Sequence, residues 1–186
     1  MEELRDIWQN QEVEEVKISV EELRTKAARF RRGIVRRNLT EQLACGAVAI
    51  WFGTEFWKTA VVIPRISFAL IAAAALYVAW HIQTRGRAGA VPVDMARSNL
   101  IEFQRTELEK QRDLLKGVWR WYLGPFVAGL GLLAIWGMVV APTGRRWSAV
   151  AFAVTSVLIF WGIGRLNRTA ARKLEEQLEE LKSLGA

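Results

Sequence analysis

The runs WRWYLGPFVAGLGLLAIWGMVV (residues 119–140) and WSAVAFAVTSVLIFWGI (residues 147–163), joined by APTGRR (residues 141–146), decide the fold. The two runs carry a single charged residue between them, Arg120, near the start of the first. A helix rises about 1.5 Å per residue, so the first run reaches about 33 Å and the second about 26 Å, against roughly 30 Å of hydrocarbon in a bilayer. The connection contains Pro142 and Gly144 and is too short for anything but a reversal, so the pair reads as a transmembrane hairpin.

Upstream the pattern recurs. QLACGAVAIWFGTEFWKTAVVI (residues 42–63) and ISFALIAAAALYVAWHIQT (residues 66–84) give a second hairpin with its tip at Pro64 and Arg65. The expectation is therefore an all-α integral membrane protein with four transmembrane helices in two hairpins, separated by amphipathic helical segments. These divide the chain into residues 1–41, a hairpin at 42–84, a middle segment at 85–118, a hairpin at 119–163 and a terminal helix at 164–186. No cleaved signal peptide is expected, because the first apolar run begins some forty residues in, behind an acidic and then a basic stretch.

Composition agrees. Of 186 residues 52% are hydrophobic while 24% are charged, so the two kinds must be segregated along the chain. Lys and Arg number 26 against 19 Asp and Glu, a net charge of +7 that suits an anionic lipid surface. One Cys and one His leave no internal disulfide and no Cys/His zinc site, and no cofactor motif is present. An enzyme is not expected.

Charge also predicts orientation. Residues 1–42 hold nine Lys and Arg, residues 81–120 eight and residues 164–186 five, whereas Lys58, Arg65, Arg145 and Arg146 are all that fall on the tip side. Both termini and the middle segment should be cytoplasmic, in a multi-pass protein of the bacterial inner membrane. Tyr77, Trp80, Trp119, Trp121, Tyr122 and Trp161 then form an inner aromatic belt, and Trp57 and Trp147 mark the outer one.

The polar segments read as helices with one apolar stripe each. Ser19 and Glu22 form a capping box ahead of Val20, Leu23, Ala27, Phe30 and Ile34. Asp94 caps a helix in which Ile101, Leu108 and Leu115 recur every seven residues, and Leu174, Leu178 and Leu181 stripe the terminal helix between glutamates. A single seam cannot satisfy itself, so the last two helices should pair as a coiled-coil stalk, with Lys110, Arg112 and Lys116 facing those glutamates. That pairing leaves the first helix, with Trp8, Leu23 and Phe30, as an exposed partner-binding or membrane-lying element, and Arg29, Arg31, Arg32, Arg36 and Arg37 beside lipid phosphate; nucleic acid is not expected.

Within the spans, Glu55 and Lys58 lie one turn apart. At membrane depth they would mark an ion or proton path; if Trp57 and Lys58 mark the outer interface, the pair snorkels and neutralises itself, the reading their residue types favour. His81 suits an interfacial hydrogen bond. Small faces at Cys45, Ala49 and Gly53 and at Gly124, Ala128 and Gly131 favour close helix packing, and Gly124-Pro125 should bend the chain. Ser67 and Trp80 share their spacing with Ser148 and Trp161, which fits a parallel repeat or two hairpins under the same bilayer constraint.

At LRDIWQNQEVEEVKISVEELRTKAARF (residues 4–30) and EFQRTELEKQRDLLKGVWRWYLGPF (residues 102–126) the chain resembles a group of uncharacterised bacterial inner-membrane proteins. The resemblance implies a bacterial cytoplasmic-membrane setting. A looser similarity is to membrane-tethered anti-sigma factors, without their zinc-binding His/Cys pattern; it implies a regulatory adaptor that presents cytoplasmic helices. The expected function is thus a non-catalytic membrane anchor or regulator for a protein partner, the alternative being a small transporter or channel subunit using Glu55 and Lys58.

Overall fold

The computed structural model describes residues 20–90, 97–140, 142, 144 and 146–185. Among them there are helices and no strands: α1 (Val20–Lys58), α2 (Val62–Arg85), α3 (Arg97–Lys116), a π-helical turn (Trp119–Leu123), α4 (Gly124–Val140) and α5 (Arg146–Gly185). Three helical stretches are long and apolar enough to cross a membrane: Val62–Arg85, Trp119–Val140 and Arg146–Lys182. The expected first span is not among them, because the apolar part of α1 is interrupted by Glu55 and ends at Lys58.

Two divisions drawn from polarity fall inside single helices. The 39 residues of α1 and the 40 of α5 are unbroken helices, so no joint separates the polar segment from the apolar run in either. No proline interrupts α1 near residue 41 or α5 near residue 164, and Asn38, Asn167, Gly162 and Gly164 do not by themselves break a helix.

The first tip moves as well. It lies at Thr59–Val61 rather than at Pro64 and Arg65, and Pro64 is buried in the first turn of α2. The cause is the missing proline N–H: inside a continuous helix the ring would clash with the carbonyl of Ala60, so the break must fall upstream of it. Val61, with φ −78° and ψ 126°, starts α2 without a side-chain cap.

α2 is the axis of the apolar bundle. Its Ile71, Ala74, Ala75 and Val78 are buried, and Cys45 of α1 joins Ala75, Val78 and Ile82 in one cluster flanked by Val48 and Ala49. Cys45 and Ala49 therefore pack as expected, while Gly53 meets nothing. On the other side α4 approaches through Gly129, where a Cβ would lie 2.6 Å from Ile71 Cγ1 and 3.0 Å from the Ser67 carbonyl. The contact thus falls on Gly129, not on Gly131, which faces open space. α5 is peripheral and presents Val154, Val157, Leu158 and Ile159 outward. Ser67 is wholly buried and Ser148 exposed, so the two positions of equal spacing occupy unlike settings.

Beyond the bundle the polar ends form a three-helix stalk. Leu108 of α3 packs with Leu178 and Leu181 of α5, with Leu174 at the edge. Lys116 pairs with Glu175 across this seam, whereas Lys110 donates to the Arg87 carbonyl and Arg112 pairs with its neighbour Asp113. Phe30 of α1 packs on the same cluster. Half-buried, it forms a third side of the stalk: the two-helix seam leaves an apolar edge that α1 covers with Phe30, and Ala27 and Ile34 of the same helix are buried too.

Candidate functional site

Where the bundle meets the stalk, the chain passes from α3 to α4 through Gly117 and the π-turn. Pro125 explains the turn. It has no N–H to give the Trp121 carbonyl and would clash with it, so the ladder widens by one residue and Gly124 N–H bonds the Trp119 carbonyl instead. The expected bend at Gly124-Pro125 is realised in this form. The wider turn sends neighbouring side chains into two clefts, Trp121 and Tyr122 into one and Trp119 into the other.

The first cleft, about 210 Å³, draws on α1, α2, α3, the π-turn and α5. His81 of α2 stacks on Trp121, with ring centroids 4.6 Å apart and planes 21° from parallel, and the Trp121 indole N–H donates to the Leu114 carbonyl at 2.9 Å. This is a stacking role for His81 rather than the expected interfacial hydrogen bond. Opposite lie Arg37 and Glu41, one turn apart on one face of α1, with Asn38 beside them.

Arg37 anchors the polar side. Its Nη2 donates to Gln111 Oε1 at 3.0 Å and to Asn38 Oδ1 at 3.2 Å. Gln111 Nε2 donates to Glu107 Oε1 at 3.2 Å and to the Gly86 carbonyl at 3.4 Å, which also accepts from Asn38 Nδ2 at 2.7 Å. The network ties the end of α2 to both α1 and α3. Arg37 Nε is buried without a hydrogen-bond partner, 3.9 Å from Glu41 Oε1. Burial raises the Glu41 carboxyl above its ordinary range, and the Arg37 charge opposes that only in part.

The second cleft, about 260 Å³, lies on the opposite side of the π-turn between Trp119 and the α5 face bearing Trp161, Arg165, Arg168 and Arg172.

The expected site residues are thus dispersed. Glu55 and Lys58 pair at 3.0 Å in the last turn of α1, with side chains 34% and 68% exposed, and line neither cleft. Arg29, Arg31, Arg32 and Arg36 are exposed along α1, and only Arg37 enters a cleft. Trp8 lies outside the described residues, as do the caps proposed at Ser19 and Asp94, and nothing is described of the Leu23 side chain. Gln111 and Asn38 were not anticipated. The signal for Gln111 exists: Gln104 and Gln111 occupy the alternate places in the Ile101, Leu108, Leu115 seam, where a polar residue fixes register at some cost in stability.

No family model, curated protein or solved structure matches the chain.

Proposed function

We propose that the protein is a non-catalytic integral membrane anchor of the bacterial inner membrane that holds a rigid cytoplasmic stalk and presents it to a protein partner. The observation that carries this reading is the continuity of α1 and α5, each passing unbroken from the apolar bundle into the polar stalk. A helix of 40 residues is about 60 Å long, roughly twice a bilayer's hydrocarbon, so about half of it must stand in water. In this reading the apolar half of α1 is the fourth span, with Glu55 and Lys58 at its outer end, and the Lys and Arg excess sets the stalk inside.

The transporter alternative draws no support from Glu55 and Lys58, which neutralise each other at an exposed helix end and border neither cleft. The anti-sigma-like version of the anchor rests on resemblance alone.

The test is a chain lacking residues 1–18, expressed in cells beside the full chain. Insertion should be unchanged and recovery of the cytoplasmic partner in a pull-down lost. Recovery of the same partner by both would remove the presenting role from the amino-terminal segment. The substitutions Thr143→Cys and Ala186→Cys check orientation: labelling of Ala186→Cys from outside the cell contradicts a cytoplasmic stalk.

A further inference from the structure

The second cleft has a composition the anchoring role does not require. Arg165, Arg168 and Arg172 stand at i, i+3 and i+7 of α5, one above another on a single face. None has a carboxylate within ion-pair distance among the described residues; Glu175, whose charge Arg172 feels, is bonded to Lys116. Three like charges on one face repel one another, an arrangement that an anion relieves.

The groove is also shaped. Gly164 forms its floor: a Cβ there would lie 2.7 Å from Trp119 Nε1 and 2.8 Å from Trp119 Cζ2, so glycine alone lets the indole come this close to α5. The Trp119 N–H has no partner among the described residues, which leaves a neutral donor beside three charged ones. Trp161 closes the apolar end, with the Arg165 guanidinium 5.5 Å over its ring.

We infer that this groove binds a phosphate oxyanion, and that the phosphate is the headgroup of an anionic phospholipid whose chains lie along α5. The arginines supply bidentate donors matched to phosphate oxygens. Free phosphate shares that chemistry, but beyond Trp161 the same face of α5 continues into exposed Leu158, Val157 and Val154, an apolar track of no use to a free ion. The site does not depend on the partner-presenting role, and neither test bears on the other.

The experiment uses the full-length protein in neutral detergent, with lipid retention read by native mass spectrometry and protection by the shift in unfolding temperature. Phosphatidylglycerol should be retained and raise the unfolding temperature, with phosphatidylcholine retained about tenfold less and millimolar inorganic phosphate failing to displace it. The variant R165Q/R168Q/R172Q should bind phosphatidylglycerol about a hundredfold more weakly, three charges each contributing several-fold. Gly164→Ala keeps every charge and favours the helix while displacing Trp119, and should weaken retention about tenfold; it decides the matter if the triple variant fails to fold. Wild-type retention by Gly164→Ala, or an equal loss in R29Q/R31Q/R32Q/R36Q, would reduce the groove to diffuse charge and overturn the proposal. Displacement by inorganic phosphate would overturn the lipid assignment.

Discussion

Gly129 and Gly131 sit two residues apart in α4 and look alike in sequence, yet only Gly129 touches α2. Gly129→Val should cost about 1–3 kcal/mol, because the added side chain must push the backbones of α2 and α4 apart. Gly131→Val should stay within about 0.5 kcal/mol, as a change facing open space. Unfolding of both variants in mild detergent measures the contrast, and equal losses would mean that α2 and α4 do not meet at Gly129. At the rim of the stalk Glu175 pairs with Lys116. The hydrogen bond from Lys116, with the charges of Lys116, Arg112 and Arg172 behind it, holds its carboxyl below the ordinary range. A depressed acid stabilises the fold above its unfolded-state pKa, near 4.3 for glutamate, and that contribution is lost as pH falls through the lower folded value. Protection of the stalk from an acid-tolerant protease should therefore decline with acid below about pH 4.3, and decline less steeply in Glu175→Gln. Identical slopes would show that the pair adds nothing.

Among the elements, the π-turn was the least legible. Gly124-Pro125 announces a bend, but whether a proline kinks, breaks or widens a helix depends on which neighbours can re-satisfy the freed carbonyl, and those neighbours are distant in sequence. Once widened, the turn lets Trp121 reach His81 and Trp119 reach Gly164. Pro125→Ala restores the donor and should let the ladder close regularly, shifting neighbouring side chains by about 100° per residue. The near-ultraviolet circular dichroism of the indoles should then weaken while total helicity stays constant; an unchanged spectrum would mean that packing, not Pro125, holds the turn. The stripes of α3 and α5 were readable because a heptad seam needs only its own sequence to declare a face, and Leu108, Leu178 and Leu181 lie as the spacing predicted. The place of Phe30 was not readable. An apolar stripe states that something covers it without saying what, and here the missing side of a two-helix seam was a third helix of the same chain.

For the whole molecule, the long apolar runs reported the helical architecture faithfully, whereas the continuity of the backbone through residues 41 and 164, where polarity changes, was not readable from polarity. Hydropathy marks where the solvent changes, and a helix needs no break to pass from one solvent to another. The clefts escaped prediction for a related reason: Arg37, Gln111 and Gly86, like Trp119 and Gly164, are brought together by packing and share no local pattern. Stability of the stalk should depend on its centre. Leu178→Asp places a charge where the side chain is 3% exposed, and should cost upward of about 3 kcal/mol. Limited proteolysis should then cut α3 while α2 and α4 stay intact, and an α3 as protected as before would mean that the stalk is not a cooperative unit.

Because α5 is one uninterrupted helix from Arg146 to Gly185, the angular phase between its apolar face and its leucine stripe is set by residue count alone. Like two cams keyed to one shaft, the faces cannot be timed independently. One residue inserted between Arg172 and Leu174 would turn the stripe about 100° away from Leu108, while seven would bring it back to within about 20°, displaced by two turns. The stretch should therefore tolerate substitutions and near-heptad length changes, whereas a single-residue insertion there should open the stalk as thoroughly as a charge at its core.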